Sequence, residues 1–337
     1  MMLAADLDAM ERALAPLWRH LSGARIFMTG GTGFIGRWML EALVRAPVEV
    51  EVVLLSRNPA GFAARAPHIA ERFAMIRGEI GDFAAPKGSF THVIHGATDA
   101  SADLNANDPR RMFDTIVAGT RRVLDFAVER SAQRLLFMSS GAVYGIQPWE
   151  VTHVAEDWPG GPDPRDPKSA YGEGKRAAEM LCAIYGKQFG LDVVTARIFA
   201  LLGPLLTLDI HFAAGNFILD AMAGRTIRVQ SAGTAVRSYL YAADLAVWMW
   251  TALLTGQKGA AYNLGSEEAV SIAELARRTA HVLGGPGVEI LGRPDPGWNP
   301  GRYVPSTELV RRELGVVPTV GLDEAIRRTA ISNGWIP

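Results

Sequence analysis

Between Arg25 and Phe199 the chain alternates short apolar runs with longer stretches in which apolar residues recur every three or four positions. The runs Arg25–Thr29, Val50–Ser56, Ala74–Arg77, His92–His95, Arg134–Ser139 and Val193–Phe199 predict buried strands. The periodic stretches Gly33–Arg45, Pro109–Arg130 and Ser169–Phe189 predict helices between them. Strands that alternate with helices form a parallel sheet covered on both faces, so the expected class is a doubly wound α/β fold. An amphipathic helix precedes the first strand, with Leu3, Leu7, Met10, Leu14, Leu17 and Leu21 on one face and a break or restart expected at Pro16. After Leu201 the regularity fades into loops such as Gly284–Gly287 and Arg293–Gly301, and a final helix starts at Leu322. The expected division is an N-terminal helix over 1–22, a main domain over 23–200, and a smaller α/β lobe over 201–337 that interleaves with it.

Composition narrows the class of protein. Apolar residues make up 49% of the 337 and charged residues 20%, as in a globular enzyme with a full core. A formal net charge of −1 offers no field for nucleic acid or an anionic membrane, so neither is an expected partner. The most apolar window, Tyr239 to Leu254, is interrupted by Asp244 and too short to span a bilayer. The first residues lack a basic stretch followed by an apolar one, so a cytoplasmic location is expected. The single cysteine, Cys182, falls in a helical pattern and is expected to be a buried structural thiol. His92, His95, His153 and His211 show no zinc-ligand spacing, and no metal site is expected.

Chemistry first shows at Arg25-Ile-Phe-Met-Thr-Gly-Gly-Thr-Gly-Phe-Ile-Gly36, a strand that runs directly into a helix start. Glycines 30, 33 and 36 suit a tight turn, the close approach of a pyrophosphate, and packing of the helix on the strand. The helix N-terminus supplies free N–H groups and partial positive charge for phosphates. A second strand ending some twenty residues later completes the dinucleotide pattern of a Rossmann fold. That strand ends in Ser56-Arg57-Asn58, where an acid would hold the adenosine ribose of NAD. Arg57 suits a 2′-phosphate instead, so NADP is the expected cofactor and NAD the alternative.

A second cluster lies at Leu136-Phe-Met-Ser-Ser-Gly-Ala-Val-Tyr-Gly145, and Tyr171-Gly-Glu-Gly-Lys175 opens a long helix downstream. Tyr171 and Lys175 are four apart and share a helix face. A phenol, with an unperturbed pKa of about 10, exchanges protons at neutral pH more readily beside an ammonium, which is expected to lower it. A serine at the strand end can hold the substrate oxygen together with the tyrosine.

These motifs resemble the extended short-chain dehydrogenase/reductase family, in its nucleotide-sugar epimerase/dehydratase branch. The likeness extends through Arg197-Ile-Phe-Ala-Leu-Leu-Gly-Pro204, Gly233 to Asp244, Tyr262-Asn-Leu-Gly265 and Arg311-Arg-Glu-Leu-Gly315. It implies that Tyr171 is the acid/base, Lys175 its partner and ribose anchor, and Ser140 the second hydrogen bonder. The cofactor is then expected along Gly30, Gly33, Phe34, Ile35 and Gly36, at Ser56 and Arg57, at Glu79 and Ile80, and at His95, Gly96, Ala97 and Lys175. The expected substrate, a sugar on a nucleotide diphosphate, would meet Thr98, Ser140 and Asn216, with Arg237 and Arg302 on the diphosphate. The helices Pro109–Arg130 and Ser169–Phe189 are the face through which such proteins form homodimers.

Departures from the branch select among its reactions. The sugar 4,6-dehydratases carry an acid pair where this chain has Gly141 and Ala142, and the decarboxylases a glutamate in place of Ala142. Neither residue here transfers a proton, so both reactions are disfavoured. Reduction of a 4-keto-6-deoxy sugar by NADPH and 4-epimerisation with NAD remain, and Ser56-Arg57 favours the reductase. Ile116 stands where an asparagine is usual, Ala200 likewise, and His95-Gly-Ala-Thr98 also departs slightly, which points to an unusual sugar. A non-catalytic NADP sensor or scaffold is the rival from another class, and the presence of Tyr171 and Lys175 argues against it.

Overall fold

The computed structural model describes residues 2–98, 102–208, 213–295, 299 and 301–336. His211 and parts of the expected loop Arg293–Gly301 lie outside the described residues.

Seven strands form the central sheet, numbered here β1 (Ala24–Thr29), β2 (Val50–Ser56), β3 (Ala74–Arg77), β4 (His92–His95), β5 (Arg134–Ser140), β6 (Asp192–Ile198) and β7 (Ala261–Leu264). Their spatial order is β3-β2-β1-β4-β5-β6-β7, and each neighbouring pair is parallel. The order reverses between β1 and β4, so a crevice opens at the carboxyl ends of these two strands, where dinucleotides bind in such sheets.

Alternation along each strand sorts side chains between two cores. Ile26, Met28, Val52, Leu54, Ile94 and Leu136 point to one face. Phe27, Val53, Leu55, Val93, Leu135 and Phe137 point to the other. On the first face pack the helices Phe34–Val44 and Ala242–Thr255, with Trp38, Trp248 and Trp250 buried. On the second lie the helices Pro109–Glu129 and Ala170–Phe189, which pack on each other. Ile116 belongs to this second core, and a Cβ on Gly174 of the neighbouring helix would lie 3.2 Å from its Cδ1. Its apolar side chain therefore serves the packing of the two helices. Cys182 is buried in the same core, and burial pushes its thiol well above the usual range.

The N-terminal segment is a helix over Ala4–Leu14 followed by a 3-10 turn over Trp18–Leu21, with the interruption at Pro16. Met10, Leu14, Trp18 and Leu21 are buried, and the helix packs on Ala242–Thr255. Its Asp6, also buried, accepts from Tyr241 Oη at 2.6 Å and Arg328 Nη1 at 2.5 Å. The latter residue lies on the helix Leu322–Ser332, so both ends of the chain meet here.

Beyond residue 200 the elements are short. A two-residue strand Val236–Arg237 pairs with Val270–Ser271 on one side and Arg302–Tyr303 on the other. The helix Ala213–Met222 packs on Ile272–Leu283. Among the described residues no helix is long and apolar enough to cross a membrane.

Candidate functional site

The crevice between β1 and β4 is built from small residues. Gly30 takes a φ of +76°, the left-handed region that other residues avoid, and a Cβ there would lie 2.5 Å from the Gly96 carbonyl carbon. A Cβ on Gly36 would lie 2.3 Å from Gly30 O, so this glycine lets the helix Phe34–Val44 pack against the turn. Gly33 differs from both. A Cβ there would meet Gly30 O at 3.4 Å, an ordinary contact, so no protein atom demands a glycine. An open glycine at the N-cap of a helix is what close approach of a phosphate needs.

Thr29, which the sequence reading passed over, ties the crevice together. Its buried Oγ1 accepts from the Gly96 and Ala97 N–H groups at 3.2 and 3.1 Å and lies 2.8 Å from His95 Nδ1. The other ring nitrogen of His95 lies 3.0 Å from Thr120 Oγ1. Burial, then the Lys175 charge, lower the His95 pKa to about 3, so the ring is neutral. With both nitrogens engaged, His95 braces the end of β4. At the end of β2, Ser56 is buried and its Oγ accepts from Asn58 N at 3.2 Å, while Arg57 is exposed. Glu79 is exposed just after β3, and Ile80 packs towards Gly119. Phe34 and Ile35 pack in part against the first core.

Beside the crevice, β5 ends at Ser140, whose Oγ accepts from Ala142 N at 3.2 Å. The helix Ala170–Phe189 brings Tyr171 and Lys175 to the same place. Burial raises the Tyr171 pKa and a hydrogen bond with Ser140 offsets this in part, so the phenol keeps its proton. The expected lowering by Lys175 does not prevail, because the ammonium points elsewhere. Lys175 Nζ donates to Met138 O at 2.8 Å and lies 6.0 Å from the Tyr171 ring centre. It is only 3% exposed, and burial lowers its pKa to about 8. An ammonium has three donors, and Met138 O takes one of them among the described residues.

A second tyrosine, also unforeseen, completes this corner. Tyr303 Oη lies 3.4 Å from Ser140 Oγ, its ring centre is 4.6 Å from that of Phe199, and burial pushes its pKa well up. A Cβ on Gly141 would lie 2.6 Å from Phe199 Cζ and 2.7 Å from Tyr303 Oη. The two aromatic rings thus take the space that a side chain at 141 would need. The strand Arg302–Tyr303 turns Tyr303 to the face opposite Arg302, and two residues are too few for the sequence to show it.

That parity separates the two arginines expected on the diphosphate. Register places Tyr303 beside Arg237 and Arg302 beside Val236, so the two guanidinium side chains leave opposite faces of the ribbon. Arg237 Nη1 donates to Val236 O at 2.8 Å and Gly301 O at 3.2 Å. Arg302 stacks over Trp149 at 4.6 Å, its Nε buried without a partner among the described residues. Asn216 is exposed on the helix Ala213–Met222. Thr98 Oγ1, just past the crevice, is buried without a partner among the described residues. Among the described residues no cluster of His, Cys, Asp or Glu has the arrangement of a metal site.

The arrangement fits a dinucleotide: an open glycine at a helix N-cap, a switch-point crevice, and a buried ammonium with donors left over. The model of the NAD dependent epimerase/dehydratase family matches residues 26–265. This chain belongs to that family. It is 31% identical over 310 residues to UDP-glucuronic acid decarboxylase 1 of Xenopus tropicalis, covering 90% of this chain and 71% of the relative. Among solved structures, the UDP-glucose 4-epimerase of Thermus thermophilus in complex with NAD is 27% identical with a TM-score of 0.76, covering 93% of this chain and 100% of that one. The UDP-glucose 4-epimerase of Thermotoga maritima, solved with UDP-glucose, has a TM-score of 0.78 at 21% identity, over 92% and 98% of the two chains. The latter likeness is one of fold. The family is one of NAD-dependent nucleotide-sugar enzymes, and the site described here lies within the matched span except for Arg302 and Tyr303.

Proposed function

We propose that this protein is a nucleotide-sugar oxidoreductase that reduces a 4-keto-6-deoxy sugar carried on a nucleoside diphosphate, with NADPH supplying the hydride. The observation that carries the reading is the corner formed by Ser140, Tyr171 and Lys175, with Gly141 and Ala142 where a proton-transferring side chain would stand. Tyr171 keeps its phenolic proton, as a general acid must before it protonates the new C4 alkoxide. Ser140, which offsets in part the rise of that phenol's pKa, holds the same oxygen. The Lys175 ammonium offsets the negative charge left on the Tyr171 phenolate and anchors a ribose with its remaining donors. Elimination of water or loss of carbon dioxide, as the named decarboxylase relatives carry out, needs further proton transfer from the position of Gly141 or Ala142. Phe199 and Tyr303 fill the space a side chain at 141 would need, and Ala142 carries no group that transfers a proton.

In this reading the crevice residues Gly30, Gly33 and Gly36 receive the pyrophosphate, and Arg57 pairs with a 2′-phosphate. Arg237 and Thr98 meet the substrate on the Tyr303 face of the ribbon and Asn216 its nucleotide, while Arg302 leaves by the opposite face, over Trp149. A second reading, 4-epimerisation by a retained NAD, is favoured by the NAD of the Thermus relative.

Turnover of 4-keto-6-deoxy sugar nucleotides with NADPH, and of UDP-hexoses without added cofactor, tests the reading. Tyr171→Phe should lower kcat by about 10²–10⁴-fold and keep NADPH binding. A Phe variant of normal rate would remove Tyr171 from the chemistry, and turnover of UDP-hexoses alone would replace the reductase by the epimerase.

A further inference from the structure

We propose that Glu179 is a positioning residue of this site: one carboxylate that clamps the strand end carrying Ser140 to the helix carrying Tyr171 and Lys175, one turn beyond Lys175 on the same face. The proposal rests on the reading of Ser140, Tyr171 and Lys175 given above. Glu179 follows Lys175 by four residues and Tyr171 by eight, so all three share one helix face. Ser139, the residue before Ser140, donates its Oγ–H to Glu179 Oε1 at 2.5 Å. Arg197 of β6 grips the same carboxylate in bidentate fashion, Nη2 to Oε2 at 2.7 Å and Nε to Oε1 at 3.1 Å. The pair is largely buried, with side chains 15% and 16% exposed. Arg197 is itself fixed by donating Nη1 to Tyr144 Oη at 2.7 Å and Glu156 O at 2.9 Å. The carboxylate therefore has little freedom to move, and neither has the strand end it holds.

The groups facing Lys175 can be named element by element. His95 comes from β4 and is neutral, β5 offers the Phe137 ring and Met138 O, and the helix itself offers Tyr171, Glu179 and Cys182. Cys182 keeps its proton, so the anionic group facing Lys175 among the described residues is Glu179. Facing Glu179 are Arg197 from β6, Ser139 from β5, Tyr144 from the turn after β5, and Lys175 and Cys182 from its own helix. Burial drives Lys175 towards its neutral form and Glu179 opposes it.

The test is competitive acetylation of Lys175 with acetic anhydride across pH, read by peptide mass spectrometry on the full chain. Glu179→Gln, which keeps shape and removes charge, should move the Lys175 midpoint down by about one pH unit. Glu179→Asp should restore it. An unmoved midpoint in Glu179→Gln would overturn the electrostatic role. Ser139→Ala removes one hydroxyl and keeps the proposal testable if Glu179→Gln does not fold. It should lower kcat about tenfold with KM unchanged and leave the Lys175 midpoint in place, and an unchanged kcat would overturn the clamp. Acetylation needs no sugar, so a wild type that turns over no sugar nucleotide defeats the oxidoreductase reading and leaves the Lys175 result standing.

Discussion

At the scale of single residues, burial sets the chemistry of this site. Lys175 is enclosed by Phe137, Met138 and Tyr171, and its pKa falls to about 8. A lysine with a depressed folded pKa loses its charge as pH rises through that value. Catalysis that needs the ammonium should therefore fall away above pH 8, while this group's unfavourable contribution to folding fades between about 8 and its unfolded value. A kcat/KM profile with an alkaline limb near pH 8 is expected, and a profile flat to about pH 10 would show that Lys175 carries no required charge. Ser140, Tyr171 and Lys175 were legible in sequence because their motifs are local. Thr29 and Tyr303 were not, since their partners His95 and Ser140 lie 66 and 163 residues away. Arg302 and Tyr303 show the same limit in another form, because only strand register tells which of two neighbours faces Arg237.

Among elements, the strands of the first half follow directly from their apolar runs. Val50–Ser56, Ala74–Arg77 and His92–His95 have the bounds read from the pattern, and the helices differ by one residue at most ends. The strands beyond residue 200 are mostly two or three residues long, too short for any period to show. The helix pair Pro109–Glu129 and Ala170–Phe189 carries Tyr171 and Lys175 on its inner side and leaves Phe113, Met180, Ile184 and Phe189 exposed on its outer side. Exposed apolar residues on paired helices suit an isologous interface. Light scattering should give twice the 36.4 kDa chain mass, and charged substitutions at Met180 and Ile184 should halve it. A monomeric mass for the unaltered protein would remove this face as an interface.

For the whole molecule, the first and second parts of the chain are not separate bodies. β7, from the second half of the chain, completes the sheet beside β6, and Trp38 of the glycine-turn helix donates Nε1–H to Pro204 O at 3.0 Å. The doubly wound class was legible because strand and helix periods alternate over most of the chain. The C-terminal contribution to the sheet was legible only as interleaving, because a four-residue strand declares no partner. This integration places the glycine turn, the Ser140 corner and the Arg237 ribbon around one crevice, and the account stands on that crevice binding a nicotinamide dinucleotide. The most direct test is titration of the purified protein, freed of any carried-over cofactor, with NADPH and with NADH, followed by nicotinamide fluorescence. The account predicts saturable binding of both, tighter for NADPH, with the preference lost in Arg57→Ala. Failure of both dinucleotides to bind would contradict it at its base.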